Sequence, residues 1–184
     1  MIIIFSGSSG VGKNTVINEL IAQNPNLSLM PTYTTRAKRD GETDGVPYFF
    51  VSTAEFKELL AQDGFYEHEL IHKTNYYGTP KKVVDDIASQ NKVCLKDIDV
   101  LGAMNLKQLL KDKIKVVTIY LYIDKQTLTQ RLEGRGEKEI DTRLSRFDFE
   151  LTFKDKYDYT IENIDLDNTV SICLDIIKKE QYSK

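Results

Sequence analysis

Residues 7–15, GSSGVGKNT, place Gly7, Gly12 and Lys13 in the spacing G-x-x-x-x-G-K, directly after the apolar run IIIF. That pattern suits a phosphate. Glycines let the backbone wrap an anion, its N–H groups converge at the positive end of a helix, and a lysine adds a point charge at the β- and γ-phosphates. Gly7, Ser8, Ser9, Gly10, Val11, Gly12, Lys13, Asn14 and Thr15 therefore form a candidate loop for the phosphates of a nucleotide. The residue after the lysine is normally Ser or Thr, whose hydroxyl ligates magnesium. Here it is Asn14, which offers a neutral carbonyl oxygen on a longer arm.

A second group of anion ligands lies in TTRAKRDGETDGVPYFF, where Arg36 and Arg39 are close enough to converge and Tyr48 can add a hydroxyl. Guanidinium forks match phosphate oxygens. Lys38, Asp40, Glu42 and Asp44 interleave, so a solvated charge run accounts equally well for the composition. In KDIDVLG, Asp97 and Asp99 stand at the carboxyl end of an expected strand, where ligands bind in open α/β sheets and where a carboxylate can serve magnesium. Either can instead cap the helix that follows. Arg131, Arg135, Arg143 and Arg146 surround the polar stretch EGRGEKEID, a placement suited to neutralising charge on a transferring phosphoryl group. For at least one of them a plain surface role is expected. NYYGTP, taken alone, reads as sheet packing.

Periodicity gives the elements that must position these groups. It predicts a buried strand over 2–6 and a helix over 13–23 with Val16, Ile17, Leu20 and Ile21 inward. Residues 33–45 read as a loop and 48–51 as a strand. Ser52 and Glu55 form a capping box for a helix to 62. Extended segments follow over 65–71 and 75–77. Thr79 is expected to cap, and Pro80 to open, a helix over 81–89. A strand over 93–98, a helix over 103–110 and a central strand over 116–123 come next. Asp124 caps a helix to 132; after the polar stretch a helix runs to 153, then a strand over 157–161 and a helix over 169–179.

Strands alternating with helices predict an α/β fold, a parallel sheet covered on both faces in a P-loop-type three-layer sandwich. The stretch 33–79 breaks the alternation and is expected as a separate small lobe. The expected core is 1–32, 80–123 and 155–184, and the expected lid is 124–154.

The bulk properties narrow the partners. A chain of 184 residues suits one domain with a real core, and a net charge of −3 provides no basic field for nucleic acid. The apolar run from Ile2 to Phe5 is too short for a signal peptide or a membrane span. Cys94 and Cys173 sit in apolar contexts without metal-ligand spacing, as expected of free buried thiols in a reducing cytoplasm. His68 and His72 lie four apart with no third ligand in sequence, so no metal site is expected there.

Taken in order, GSSGVGKNT, TTR-x-x-R-x-GE-x-DG-x-x-YFFVS, the F-x-E at Phe65 to Glu67, NYYGTP, DIDV-x-GA, RLEGRG and the strand ending in Asn163 resemble the guanylate kinase family over nearly the whole chain. The resemblance implies transfer of the γ-phosphoryl of ATP to GMP or dGMP, with magnesium, in a core with a GMP-binding lobe and a lid. By motif position it implies that Arg36, Arg39, Tyr48 and Tyr77 hold the GMP phosphate and that Thr32, Glu67, Thr79 and Asp97 face guanine. The loop 7–15 would hold ATP, Arg131, Arg135 and Arg143 would bridge phosphates on closure, and Asn163 would lie near adenine. Lys13, Arg36 and those three arginines would be catalytic. Magnesium would be held, through water, by Thr15, Asp97 or Asp99. The same family includes non-catalytic modules that bind phosphopeptides at the GMP lobe, the alternative function; a kinase of another phosphorylated acceptor is a third.

Guanine chemistry is consistent with Glu67: a carboxylate accepts from both N1–H and the 2-amino group, and adenine would leave it unpaired. The sequence departs from the family pattern at several places. Ser8 replaces a usual Pro, Thr32 a usual Ser and Leu101 a common Gln. Lys96 occupies a normally apolar strand position. HELIHKTNYYG is one residue longer than usual, which makes Glu69 a competitor of Glu67.

Overall fold

The structure is a computed structural model that describes residues 1–71, 74–134 and 136–182. Arg135 and His72, both singled out in the sequence, lie outside the described residues.

The first sheet is built on β1 (Ile2–Ser6), all five residues of which are buried. Parallel neighbours flank it: β9 (Val116–Tyr122) on one side and β8 (Val93–Asp97) on the other, with β10 (Tyr159–Glu162) and β2 (Leu27–Leu29) at the edges, in the order β10-β9-β1-β8-β2. Successive strand side chains point to opposite faces. Ile3 and Phe5 meet Val16, Ile17 and Leu20 of α1 (Lys13–Gln23), Leu128 and Leu132 of α5 (Lys125–Gly134), and Cys173 and Ile177 of α8 (Leu166–Tyr182). Ile2 and Ile4 meet Val84 and Ile87 of α3 (Lys81–Ser89) and Val100, Ala103 and Leu106 of α4 (Val100–Leu110). Each fully buried aliphatic side chain here stabilises the fold by roughly 1.5–3 kcal/mol. This is the parallel α/β sandwich expected from the alternating pattern.

A second sheet draws its strands from residues 32–80, in the order β4 (Thr43–Asp44), β5 (Pro47–Phe50), β3 (Thr32–Thr34), β7 (Asn75–Pro80), β6 (Phe65–Ile71). Helix α2 (Thr53–Ala61) covers it. Phe56 stacks on Phe65 at 4.5 Å and on Tyr76 at 5.2 Å. The capping box holds as read: Ser52 Oγ accepts from the Glu55 N–H at 3.1 Å and the Glu55 carboxylate from the Ser52 N–H at 2.7 Å.

Several elements differ from the reading. The segment 33–45 is not all loop: Thr32–Thr34 pairs with both β5 and β7, and Thr43–Asp44 pairs with β5. Strands of two or three residues carry no periodic signal, and their partners, not their own sequence, create them. β2, three residues paired with β8, is absent from the periodicity for the same reason. Thr79 does not cap α3; it belongs to β7 and gives its hydroxyl to Glu67, and no side chain caps α3 at Pro80. Helix α4 begins three residues early because Asp99 caps it. The helix expected to 153 is broken into α6 (Ile140–Leu144), α7 (Phe147–Leu151) and a 3₁₀ turn at Lys154–Lys156. Ser145 and Thr152 hydroxyls donate to the carbonyls of Thr142 and Phe149, both at 2.6 Å, which competes with helix continuation. Cys94 and Cys173 are free and buried. Among the described residues no helix is long and apolar enough to cross a membrane.

Candidate active site

The loop between β1 and α1 requires glycine at two places. At Gly7, with φ of 140°, a Cβ would lie 2.1 Å from the Leu121 carbonyl oxygen. At Gly12, with φ of 106°, it would lie 2.6 Å from the Asn163 side-chain amide. That amide is buried and donates to the Val11 carbonyl at 2.8 Å. Arg131 donates to the carbonyls of Asn163 at 2.8 Å, Ile164 at 3.0 Å and Val11 at 3.4 Å. The arginine read as a phosphate ligand is here a brace between the loop and the end of β10. Thr15, Arg131, Asn163 and Ile164 border a cleft of about 230 Å³ beside the loop.

Lys13 donates to the carbonyl oxygens of Gly7 at 2.7 Å and Ser8 at 3.4 Å, and its Nζ lies 3.9 Å from Asp97 Oδ1. Arg143 of α6 reaches the loop from above, donating to Ser9 Oγ at 2.6 Å, and pairs with Glu137. These groups enclose a cleft of about 450 Å³. Asn14 and Thr15 are exposed at the first turn of α1, which carries no acidic side chain. The positive end of that helix dipole is therefore open to an anion.

The second anion site is organised as a clamp. Arg36 donates to both oxygens of Glu42, at 2.7 and 3.0 Å, and its guanidinium lies over the rings of Tyr48 and Phe50 at 5.4 and 5.3 Å. The Arg36 side chain is only 14% exposed, so the solvated-run reading does not apply to it. It does describe the exposed Lys38 and Asp40. The Arg36 guanidinium first, and then the Arg39 N–H, which donates to Glu42 at 2.7 Å, hold the Glu42 carboxyl at about 2. The guanidinium of Arg36 is held protonated by Glu42 first and by the Tyr77 hydroxyl as well. Tyr48 and Tyr77 meet edge to face at 6.0 Å. Arg36, Arg39, Tyr48, Tyr77, Asn14 and Asp97 line one cleft of about 420 Å³.

A wider cleft of about 840 Å³ continues from there, bordered by Thr32, Glu67, Glu69, Lys96 and Asp97. Glu67 is half-buried and accepts the Thr79 hydroxyl; Glu69, two residues along the same strand face, is exposed. Thr79 itself is fully buried, so it faces the cleft only through Glu67. Burial pushes the Asp97 carboxyl up, while Lys13 and then Lys96 act in the opposite direction. Asp99 accepts from the N–H groups of Leu101 at 2.9 Å and Gly102 at 3.2 Å, the capping role that its position allowed. Arg146 also borders this cleft and lies 3.7 Å from Glu150.

Sequence reading gave no role to three residues that shape the site: Glu42, Glu137 and Lys96. Lys96 had a signal, a charge inside an apolar strand. Glu42 stood only as part of the GE in the motif that carries the resemblance, and Glu137 had no signal, because a carboxylate near arginines is common on any surface.

The model of the guanylate kinase family matches residues 1–180. The chain is 37% identical to the guanylate kinase of Chlorobium chlorochromatii over 90% of its own length and 87% of the relative's. It is also 37% identical to that of Rickettsia bellii, over 100% and 96%. The crystal structure of guanylate kinase from Anaplasma phagocytophilum superposes with a TM-score of 0.77 at 29% identity, covering 100% of this chain and 87% of that one. The chain belongs to the guanylate kinase family.

Proposed function

We propose that this chain transfers the γ-phosphoryl group of ATP to GMP or dGMP, giving ADP and GDP or dGDP. One observation carries the reading: Asp97 borders the loop cleft and both clefts on the acceptor side, and Lys13 stands 3.9 Å from it. Donor and acceptor phosphates therefore meet at one point between two cationic sites.

In this reading the backbone of 7–15 cradles the ATP phosphates, and the base lies toward Asn163. Arg36, Arg39, Tyr48 and Tyr77 bind the phosphate of GMP; Thr32, Glu67, Thr79 and Asp97 serve guanine, with Thr79 acting through Glu67. A phosphomonoester is largely ionised near neutral pH, its second pKa being about 6, so no general base is needed. Catalysis rests on in-line positioning and charge neutralisation by Lys13, Arg36 and Arg143, joined by Arg131 and Arg135 on closure. The lobe 33–79 and the lid 124–154 close over the core and keep water from the γ-phosphoryl.

Magnesium fits as a companion of the nucleotide. Among the described residues no group of three or more His, Cys, Asp or Glu converges as a protein cage. Thr15, Asp97 and Asp99 suit an ion that keeps most of its waters, and Asn14 suits an outer position. When bound, the ion neutralises charge on the transferring phosphates. A cytoplasmic location accords with two free buried thiols.

A coupled assay of ADP release with GMP, dGMP, AMP, CMP and UMP tests this. Turnover is expected with GMP and dGMP; a comparable kcat/KM for AMP overturns it.

A further inference from the structure

We infer that Lys96 determines base specificity by donating a hydrogen bond to O6 of the acceptor purine, beside the carboxylate of Glu67 that accepts from N1–H and the 2-amino group. This rests on the GMP reading above.

Lys96 sits on β8 with 4% exposure, between the buried Leu95 and the cleft-facing Asp97. A buried ammonium is costly unless it is paired or serves a ligand. Burial lowers its pKa, and Glu67 and Asp97 counter that effect. An ammonium has three N–H donors. The one hydrogen bond that Lys96 makes among the described residues goes to Thr32 Oγ1 at 2.8 Å. Thr32, Glu67, Lys96 and Asp97 all border the same cleft. Its wall thus presents a cationic donor, fixed by Thr32, near an anionic acceptor, fixed by Thr79.

The two ends match one purine edge. Guanine offers an acceptor at O6, then donors at N1 and the 2-amino group. Adenine offers the reverse at the first two positions: its 6-amino group would face an ammonium and its N1 lone pair a carboxylate. The pair therefore attracts guanine and repels adenine, which a carboxylate alone does only in part. A purely structural lysine would hold Thr32 and balance Glu67 and Asp97 without sensing atom 6 of the base.

The test compares GMP with 6-thio-GMP, in which sulfur replaces O6 while N1–H and the 2-amino group remain, in the full chain and in Lys96→Met. In the unsubstituted chain kcat/KM should fall by about tenfold or more on the sulfur exchange, the scale of one charge-assisted hydrogen bond. In Lys96→Met the GMP/6-thio-GMP ratio should collapse toward one, with the loss for GMP carried mainly by KM. An unchanged ratio in the variant overturns the inference in favour of a structural lysine. A ratio near one in the unsubstituted chain overturns it whether or not the variant folds. Absence of GMP turnover in the unsubstituted chain overturns the parent reading, and this one with it.

Discussion

The Glu42 carboxylate grips the Arg36 guanidinium at both oxygens, 2.7 and 3.0 Å away, in the cleft that holds Arg39, Tyr48 and Tyr77. The clamp keeps Arg36 aimed over two aromatic rings before any phosphate arrives. Its carboxyl is depressed to about 2. A depressed carboxyl contributes stability above its unfolded value, near 4.3, and loses it as pH falls toward the folded value. Glu42 should therefore remain ionised through the whole working range. Carboxyl-carbon NMR should place its midpoint at about 2; a midpoint near 4 would mean the clamp is not formed in solution.

Glu67 and Glu69 share a strand face, but only Glu67 is half-buried and tied to Thr79. Glu67→Ala should lower kcat/KM for GMP by about 10² or more, since buried partners on the base are left unpaired, while ATP affinity stays near that of the unsubstituted chain. Glu69→Ala should change either by less than about threefold, as for an exposed charge. The reverse pattern in steady-state kinetics would shift the guanine-reading role by two residues.

Asn163 ties Val11 to the end of β10 from a buried position. Asn163→Ala removes the shorter of the two side-chain donors to that carbonyl, leaves only Arg131 at 3.4 Å, and should destabilise the chain by about 1–3 kcal/mol. Thermal unfolding reads this directly. An unchanged midpoint would show that Arg131 alone braces the loop.

Asn14 is exposed where a magnesium hydroxyl is usual. If the ion rides on phosphates and waters, Asn14→Gly should keep kcat within about tenfold, roughly 1.4 kcal/mol in the barrier. Asn14→Ser should be at least as active. A loss of several orders of magnitude in Asn14→Gly, restored by raising magnesium, would make the amide an obligatory ligand.

Which features could be read from sequence follows from what makes each one. The loop 7–15 is legible because a close backbone approach to Leu121 and Asn163 admits only glycine at two positions. β1 and β9 are legible because a strand buried on both faces must be mostly apolar or β-branched, as IIIF and VVTIYLY are. β2, β3 and β4 are not, since they are short and owe their conformation to their neighbours. The breaks after α6 and after α7 go with the hydroxyl contacts of Ser145 and Thr152, residue types that also occur inside helices and so do not announce a break. At the site, residue types revealed Lys13, Arg36 and Asp97, whereas the brace formed by Arg131 and the donor at Lys96 depend on which carbonyl or hydroxyl lies opposite them. That is tertiary information.

In the proposed reaction the clefts that share Asp97, beside Lys13, pass a phosphoryl group from ATP to GMP. The most direct test supplies ATP labelled at the γ-phosphoryl together with equal amounts of GMP and AMP. The label should appear in GDP, and Lys13→Ala should slow this by about 10³ or more while leaving the fold intact. Label appearing mainly in ADP or inorganic phosphate, or Lys13→Ala turning over like the unsubstituted chain, would contradict it.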